Sequence, residues 1–223
     1  MNPIEAALEG RGVGAPVAAA LARYGRLVLE ANTRLNLTAA KTPEEIAEHI
    51  ADSLTLLPDL RPPYVDVGSG AGFPAIPLAI ATGIEVTLIE ATTKKARVLE
   101  ELLGVLGLRG TVVPQRAEEA ARDPRWRDHF LTGTCRAVAT AAAVAELLLP
   151  LIAVDGVALL QRGRFAPSER ASLEDAALVL GGAVEGERPA GGERRIVLVR
   201  KRTPTPARFP RRSGVPQRRP LCE

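Results

Sequence analysis

The stretch Val65-Asp66-Val67-Gly68-Ser69-Gly70-Ala71-Gly72-Phe73-Pro74 decides the fold class of this 223-residue chain. An apolar strand end leads into three alternating glycines, and a helical pattern follows the proline. Glycine tolerates the backbone conformations that a sharp turn beside a ligand requires. In open α/β sheets, ligands bind outside the carboxyl ends of the strands, where this stretch falls. It therefore predicts a ligand-binding loop between a strand and a helix.

The spacing of the glycines distinguishes two kinds of ligand. A dinucleotide site prefers its third glycine one position later, where this chain has Phe73, so a nicotinamide-dependent oxidoreductase is disfavoured. Pyrophosphate also needs free helix-terminal N–H groups, and Pro74 removes one of them. The spacing found here, with Asp66 before it, is the form seen in methyltransferases that use S-adenosyl-L-methionine (SAM). We therefore predict SAM as the cofactor. The predicted contacts in the loop are Gly68, Ser69, Gly70, Gly72 and Phe73.

Acids follow the next two predicted strands. Glu90 lies roughly 20 residues beyond Gly68, at a strand end where a carboxylate can accept both ribose hydroxyls of an adenosine. The alternative for Glu90 is an acid that only faces water. Ala117 and Glu118 follow the third strand, where contacts to the adenine edge are expected. Glu118 could instead be a first-turn acid that interacts with the helix dipole.

Strands and helices alternate outward from the loop. Residues 1–60 are predicted to form an N-terminal helical extension, with a helix start at 42–45. Residues 61–202 are predicted to form the SAM-binding methyltransferase domain. Its predicted strands are 64–67, 85–89, 111–113, 136–139, 156–160 and 195–199, with 183–185 as a candidate partner for the last. This order predicts an α/β protein with a mostly parallel, doubly wound sheet and a C-terminal antiparallel strand, a Rossmann-like SAM-dependent methyltransferase fold.

Positive charge is concentrated towards the C-terminus. Ten of the 29 Lys and Arg residues lie between Arg194 and Cys222, and this stretch contains no acid. Residues 203–223 also hold five prolines, so we predict an extended, basic Pro/Arg-rich tail. Such charge suits a polyanionic partner, because neutralising phosphates releases counterions. A merely solubilising tail is the alternative.

Composition excludes several other classes of protein. Two cysteines and two histidines are too few for a disulfide framework or a Cys-based metal site, so we expect no metal. No apolar run approaches the roughly 18 residues that span a bilayer, and the N-terminus lacks the pattern of a secretory signal. We expect a cytoplasmic protein without a membrane partner, and a monomer.

A series of segments, in order along nearly the whole chain, resembles the RsmG (GidB) family of 16S rRNA guanine-N7 methyltransferases. The segments are 35–38, 49–53, 66–78, 90–94, 116–119, 136–139, 210–216 and 220–222. The resemblance implies SAM-dependent methylation of N7 of guanine 527 in 16S rRNA. The implied partner is 16S rRNA or the small ribosomal subunit.

The resemblance also implies roles for individual residues. The implied cofactor contacts are Gly68, Phe73, Glu90, Ala91, Thr92, Ala117, Glu118 and Arg136. Arg136 is the implied catalytic residue, facing the methyl-transfer site from the end of the fourth strand. His49, Asp52 and Ser53 are expected to line the pocket of the acceptor base, although His49 could be a packing residue.

Arginines are the candidate contacts to RNA phosphates. In the tail these are Arg208, Arg211, Arg212, Arg218 and Arg219, and nearer the site they are Arg162 and Arg164. Some positions depart from the family pattern. Glu48 stands where the family usually has Arg, Ala75 where it has Gly, and Gln161-Arg162 where it has Leu-Lys. These departures leave the cofactor site intact and leave the positioning of the RNA open.

The expected chemistry needs little from the protein beyond alignment. Guanine N7 presents a lone pair at neutral pH, so no strong general base is required, and in-line alignment supplies much of the acceleration. A pyrimidine C5 methyltransferase would need a thiolate nucleophile, whereas Cys135 is interpreted as a small strand residue. A SAM-dependent methyltransferase acting on another RNA or a small molecule remains an alternative, as does a non-catalytic module that binds SAM or RNA.

Overall fold

The structure is a computed structural model that describes residues 2–136 and 139–222. Three helices precede the first strand: α1 (Pro3–Glu9), α2 (Ala15–Asn32) and α3 (Pro43–Leu54), with a short 3₁₀ turn at Leu57–Asp59. The strands are β1 (Tyr64–Val67), β2 (Val86–Ile89), β3 (Gly110–Val113), β4 (Phe130–Cys135), β5 (Ile152–Arg162), β6 (Gly182–Pro189) and β7 (Arg195–Lys201). The remaining helices are α4 (Ala75–Thr82), α5 (Thr93–Leu106), α6 (Ala117–Ala120), α7 (Ala141–Leu148), α8 (Pro167–Val179) and α9 (Val215–Arg218).

The seven strands form one sheet in the order β3-β2-β1-β4-β5-β7-β6. The first five strands are parallel, and β7 runs antiparallel between β5 and β6. Helices connect the parallel strands and cover both faces of the sheet, so two hydrophobic cores form, one on each face. The predicted mostly parallel sheet with a C-terminal antiparallel strand is confirmed. The carboxyl ends of β1, β2 and β4 meet at one edge.

The N-terminal helices pack against the face that carries α4 and α5, and they share its core. Helix α3 starts as predicted, because Thr42 and Glu45 form a capping box and Pro43 occupies the first turn. Its buried side chains Ile46 and Ile50 lie four positions apart on one face. Tyr24 of α2 is fully buried, and its hydroxyl donates to the carbonyl oxygen of Ala71 at 3.0 Å. This contact anchors α2 directly on the glycine-rich loop.

The fourth strand was wrongly predicted at 136–139. Strand β4 ends one residue before Arg136, and positions 137 and 138 lie outside the described residues. Two threonines and a glycine interrupt the apolar pattern of β4 and conceal it. Thr132 and Thr134 are both buried, and the hydroxyl of Thr134 donates to the carboxylate of Asp66 at 2.7 Å. A buried hydroxyl is acceptable in a strand once it is hydrogen-bonded.

The tail is more ordered than its prolines predicted. It contains α9 and packs on α6 and α7 through polar contacts. Arg211 forms an ion pair at 2.6 Å with Glu146, which is fully buried in the apolar helix α7. The backbone N–H of Gly214 donates to Glu118 at 2.7 Å. Acids of the body therefore hold the tail in a defined place.

No helix within residues 2–136 and 139–222 combines the length and apolar character needed to cross a bilayer. These residues also contain no group of three or more His, Cys, Asp or Glu side chains that could hold a metal ion.

Candidate functional site

The glycine-rich loop leaves β1 and enters α4 through a turn that only glycine fits well. Gly68, Gly70 and Gly72 all have positive φ angles, of 70°, 55° and 98°. A Cβ atom on Gly72 would also lie 2.5 Å from the side chain of Ile76 in α4. The loop therefore stays close to the first turn of its helix, as its sequence predicts.

Glu90 follows β2 and faces this loop across the sheet edge. Its carboxylate accepts hydrogen bonds from the N–H groups of Gly70 at 3.0 Å and Thr92 at 2.8 Å. The side chain is buried, with 7% of the residue exposed. An ionised carboxylate has about four acceptor positions, so two backbone donors leave room for ligand hydroxyls. Glu90 therefore lies at the end of β2 beside the glycine-rich loop and lines the cavity there.

A second loop, residues 37–39, forms the opposite wall of the site. Asn32, at the end of α2, holds it in place through its amide group. The Oδ1 atom of Asn32 accepts from the N–H groups of Leu37 and Thr38, at 2.8 and 3.1 Å. Its Nδ2 group donates to the carbonyl oxygens of Thr38 and Ala40, both at 3.0 Å. The carbonyl oxygen of Leu37 lies 3.4 Å from an ideal Cβ built on Gly70, so the two loops nearly touch.

Phe73 joins the loop to the residues expected to bind substrate. Its ring lies 5.4 Å from that of His49 and 5.0 Å beneath the guanidinium carbon of Arg136. A cation over an aromatic face is attracted by the ring quadrupole. Arg136 also lies 3.5 Å from the carboxylate of Asp52 in α3. Three of the predicted site residues are thus brought together around one ring.

Two titratable groups beside the loop have shifted pKa values. Burial raises the pKa of Asp66 to about 7, against the lowering effects of Thr134 and Arg136. One carboxylate oxygen of Asp66, Oδ2, has no partner among the described residues. Burial and then the charge of Arg136 lower the pKa of His49, so this ring is neutral at pH 7. The cavity is therefore lined by a neutral imidazole, and a fully buried carboxyl with a raised pKa lies directly before the glycine-rich loop.

Eight of the predicted residues border a cavity of about 540 Å³. Its lining residues are Leu37, Thr38, Ala39, His49, Asp52, Gly68, Ser69, Gly70, Ala71, Phe73, Glu90, Lys95, Arg136 and Arg194. This volume is ordinary for a cofactor-sized ligand. Acceptor capacity remains on Glu90, and apolar surface comes from Phe73 and Leu37. These residues therefore fit an adenosine with a charged amino-acid end.

Several predicted contacts do not line the cavity. Ser53 is fully buried and its hydroxyl donates to the carbonyl oxygen of His49 at 2.7 Å, so it faces its own helix. Ala91 and Thr92 are exposed beside the rim, where only the N–H of Thr92 contacts Glu90. Ala117 and Glu118 are the first two residues of α6 and are buried, and the Glu118 carboxylate accepts a hydrogen bond from the tail.

The predicted RNA-binding arginines fall into two groups. Arg162 and Arg164 border a second cavity beside the first. In the tail, Arg211 is bound to Glu146, whereas the other four tail arginines are exposed. Those four are Arg208, Arg212, Arg218 and Arg219. Cys135 is buried, and burial raises the pKa of its thiol, which agrees with a structural residue rather than a thiolate nucleophile.

Sequence reasoning missed three parts of the lining. Leu37 and Thr38 lie in the segment 35–38 that resembles the family, but the sequence predicts no role for them, and Ala39 lies just beyond that segment. Lys95 is a helix lysine whose position near the loop depends on the geometry of α5. Arg194 reaches the cavity from the turn between β6 and β7, and no local pattern relates that turn to the first strand.

Comparison with solved structures supports the fold. The mitomycin 7-O-methyltransferase MmcR superposes with a TM-score of 0.55 at 17% identity, covering 82% of this chain and 69% of that one. A mutant of MtNAS in complex with S-adenosylmethionine gives a TM-score of 0.54 at 16% identity, covering 83% and 73%. At such identities the likeness concerns the fold alone.

Sequence relatives are much more similar. Ribosomal RNA small subunit methyltransferase G of Pelotomaculum thermopropionicum is 41% identical over 210 residues, which cover 89% of this chain and 88% of that protein. The protein of the same name from Geobacillus thermodenitrificans is 38% identical over 231 residues, covering 97% of both. Residues 18–197 match the family model described as GidB, rRNA small subunit methyltransferase G. This chain belongs to that family.

Proposed function

We propose that this chain transfers a methyl group from SAM to N7 of guanine 527 in 16S rRNA. The observation that carries the proposal is the joining of two sites in one cavity. The Gly70–Glu90 contact lies at its cofactor end, and the Phe73–Arg136–Asp52 group lies at the other. Family membership supports the rRNA acceptor, and the resemblance to guanine-N7 enzymes supports the choice of atom.

S-adenosyl-L-methionine is the cofactor. Glu90 accepts its ribose hydroxyls, since two backbone donors already fix the carboxylate in position. The main chain of the glycine-rich loop can approach the ligand closely, because Gly70 has no side chain to fill the narrow space between this loop and Leu37. The main chain at Ala117 and Glu118, directly after β3, is assigned to the adenine end.

When bound, SAM supplies an electrophilic methyl group on a sulfonium. The residues around Phe73 then have to hold the acceptor base in line with that group and exclude water. Arg136 is fixed from two sides, by the ring of Phe73 and the carboxylate of Asp52, and only 18% of its side chain is exposed. We assign Arg136 the role of orienting the acceptor base against the methyl group.

No general base is needed for a purine N7 acceptor, because its lone pair is free at neutral pH. The group nearest to such a role is His49, and its lowered pKa keeps it neutral. A neutral imidazole beside Phe73 can stack on a base or donate one hydrogen bond to it. Asp52 can accept from the amino edge of a guanine. Because N7 carries no proton to be removed, we assign His49 and Asp52 to the selection of the acceptor guanine.

Transfer of labelled methyl from SAM to small ribosomal subunits that lack this modification tests the proposal. Aniline cleavage then locates 7-methylguanine in the rRNA. The expected result is one labelled guanine, at position 527. Labelling of another RNA position would overturn the acceptor assignment. SAM binding without any labelled RNA would overturn the transferase proposal and leave the cofactor in place.

A further inference from the structure

A second cavity of about 310 Å³ lies beside the cofactor cavity and shares three of its residues. The shared residues are Asp52, Arg136 and Arg194. The remaining lining comes from the end of β5 and from the turn that leads into β7. In full, the lining is Asp52, Arg136, Gln161, Arg162, Gly163, Arg164, Ala190, Arg194 and Arg195. Five arginines therefore face a single acid, and such a surface attracts anions.

The strand register places two of these arginines opposite each other. Arg162 of β5 and Arg195 of β7 are direct partners in the antiparallel pair. Side chains at such positions have Cβ atoms about 4.5–5.5 Å apart, and like charges there destabilise the sheet. An anion bound between the two guanidinium groups would remove that repulsion.

Only part of this positive charge is neutralised within the protein. Arg162 pairs with Glu169, Arg164 with Glu193, and Arg194 lies 3.5 Å from Asp52. In the Arg164–Glu193 pair, 81% of the arginine side chain is exposed, so this ion pair contributes little to stability and Arg164 readily exchanges its partner. Arg195 makes no ion pair within residues 2–136 and 139–222, and its single polar contact is to the carbonyl oxygen of Arg194 at 3.4 Å. Arg195 thus remains available to a ligand.

Two acids of α3 lie close to Arg194 at this edge. Glu48 and Asp52 are one turn apart, and both lie within 4 Å of Arg194, at 3.8 and 3.5 Å. Glu48 also forms an ion pair with Arg11, so it is shared between two arginines and Asp52 is the closer partner of Arg194. These contacts hold the turn before β7 against α3.

We propose that Arg162, Arg194 and Arg195 bind a backbone phosphate of the RNA strand next to the acceptor guanine. The inference rests on the proposed function, because it takes the neighbouring cavity to hold SAM and the acceptor base. The proposed function places SAM in the neighbouring cavity, beside Gly70 and Glu90, which leaves the second cavity to an anion. Guanidinium groups match phosphate with two parallel hydrogen bonds. Arg162 and Arg195, at paired positions of two strands, present two such groups at once.

Binding of small ribosomal subunits by the wild-type chain and by Arg195→Gln, over a series of KCl concentrations, tests this site. The matched control is Arg202→Gln, which removes the same charge just beyond the other end of β7, where Arg202 pairs with Glu185. Arg195→Gln is expected to weaken binding about tenfold and to lower the salt slope by about one, the signature of a lost phosphate contact. Arg202→Gln is expected to stay within twofold of the wild type.

Two further readouts separate a phosphate contact from a structural role. Arg195→Gln is expected to leave the SAM affinity unchanged and to raise the melting temperature slightly, because it removes the repulsion with Arg162. Equal loss of RNA binding in Arg195→Gln and Arg202→Gln would overturn the inference. Wild-type binding to subunits without methyl transfer would overturn the proposed function alone, and the comparison of the two variants would still decide the phosphate site.

Discussion

The glycine-rich loop and the C-terminal tail are both distinctive in sequence, but different kinds of interaction fix their structures. The loop is determined locally: positive φ angles and the crowding of Gly72 against Ile76 suffice. The tail is determined by distant acids, with Arg211 bound to Glu146 and Gly214 to Glu118. A local motif therefore predicts a conformation, whereas the composition of the tail predicts only its charge and not its contacts.

The largest expected effect is on the tail. Arg211→Ala leaves the buried carboxylate of Glu146 without its partner, and such a loss costs about 3–5 kcal/mol of unfolding free energy. Arg212→Ala removes the same charge from an exposed neighbour, and we expect a change within about 0.5 kcal/mol. Urea unfolding measures both. Equal stability of the two variants would show that the tail is only a charged appendage.

The next prediction concerns Asp66, the acid before the glycine-rich loop, and the pH dependence of stability. Asp66 binds a proton in the folded state up to about pH 7, while an unfolded Asp releases it near its ordinary value of 3.8. The folded state therefore binds more protons between these limits, so the unfolding free energy falls as pH rises, by up to about 4 kcal/mol.

Asp66→Asn is expected to remove this fall, because an amide does not ionise and still accepts from Thr134. Urea titrations at pH 5, 6, 7 and 8 compare it with the wild type. Asp123→Asn is the control, since Arg125 lowers the pKa of that exposed carboxyl instead of raising it. His49, whose pKa is lowered, contributes the opposite slope in both proteins, so the difference between them isolates Asp66. The same pH dependence in Asp66→Asn and the wild type would contradict the raised pKa of Asp66.

A smaller effect is expected in the loop itself. Gly72→Ala forces a side chain into a positive φ and against Ile76, at a cost of about 1–3 kcal/mol that lowers SAM affinity at least tenfold. Gly12→Ala is the matched control, because Gly12 has a similar φ of 84° with nothing within 4 Å of its ideal Cβ. Calorimetric titration with SAM measures the difference. If both variants bind SAM equally well, crowding at Gly72 does not shape the cofactor site.

The same contrast explains which features could be predicted. The mostly parallel sheet, the glycine-rich loop and the place of Glu90 follow from short-range patterns, since a strand, a turn and the acid of the next strand lie close in sequence. The order of the strands across the sheet was not predicted. The wall at 37–39 depends on Asn32, whose side chain makes four hydrogen bonds that no pattern announces. Strand β4 was misplaced because its polar residues are satisfied by partners distant in sequence, Thr132 by the backbone of Arg61 and Thr134 by Asp66. Glu146 is a single acid in the apolar helix α7, and that pattern indicates a buried carboxylate that needs a partner from elsewhere in the chain.

The two buried acids after β2 and β3 give the most direct test of the account. Glu90 faces the cofactor cavity, whereas the carboxylate of Glu118 is bonded to the tail. Glu90→Ala is expected to weaken SAM binding about 30-fold or more in calorimetric titration, because hydrogen bonds to a charged acceptor are lost. Glu118→Ala is expected to change the SAM affinity less than threefold and to lower the stability of the protein, because the contact with the tail is broken. Retained SAM affinity in Glu90→Ala, or a greater loss in Glu118→Ala, would contradict the placement of the cofactor at this edge.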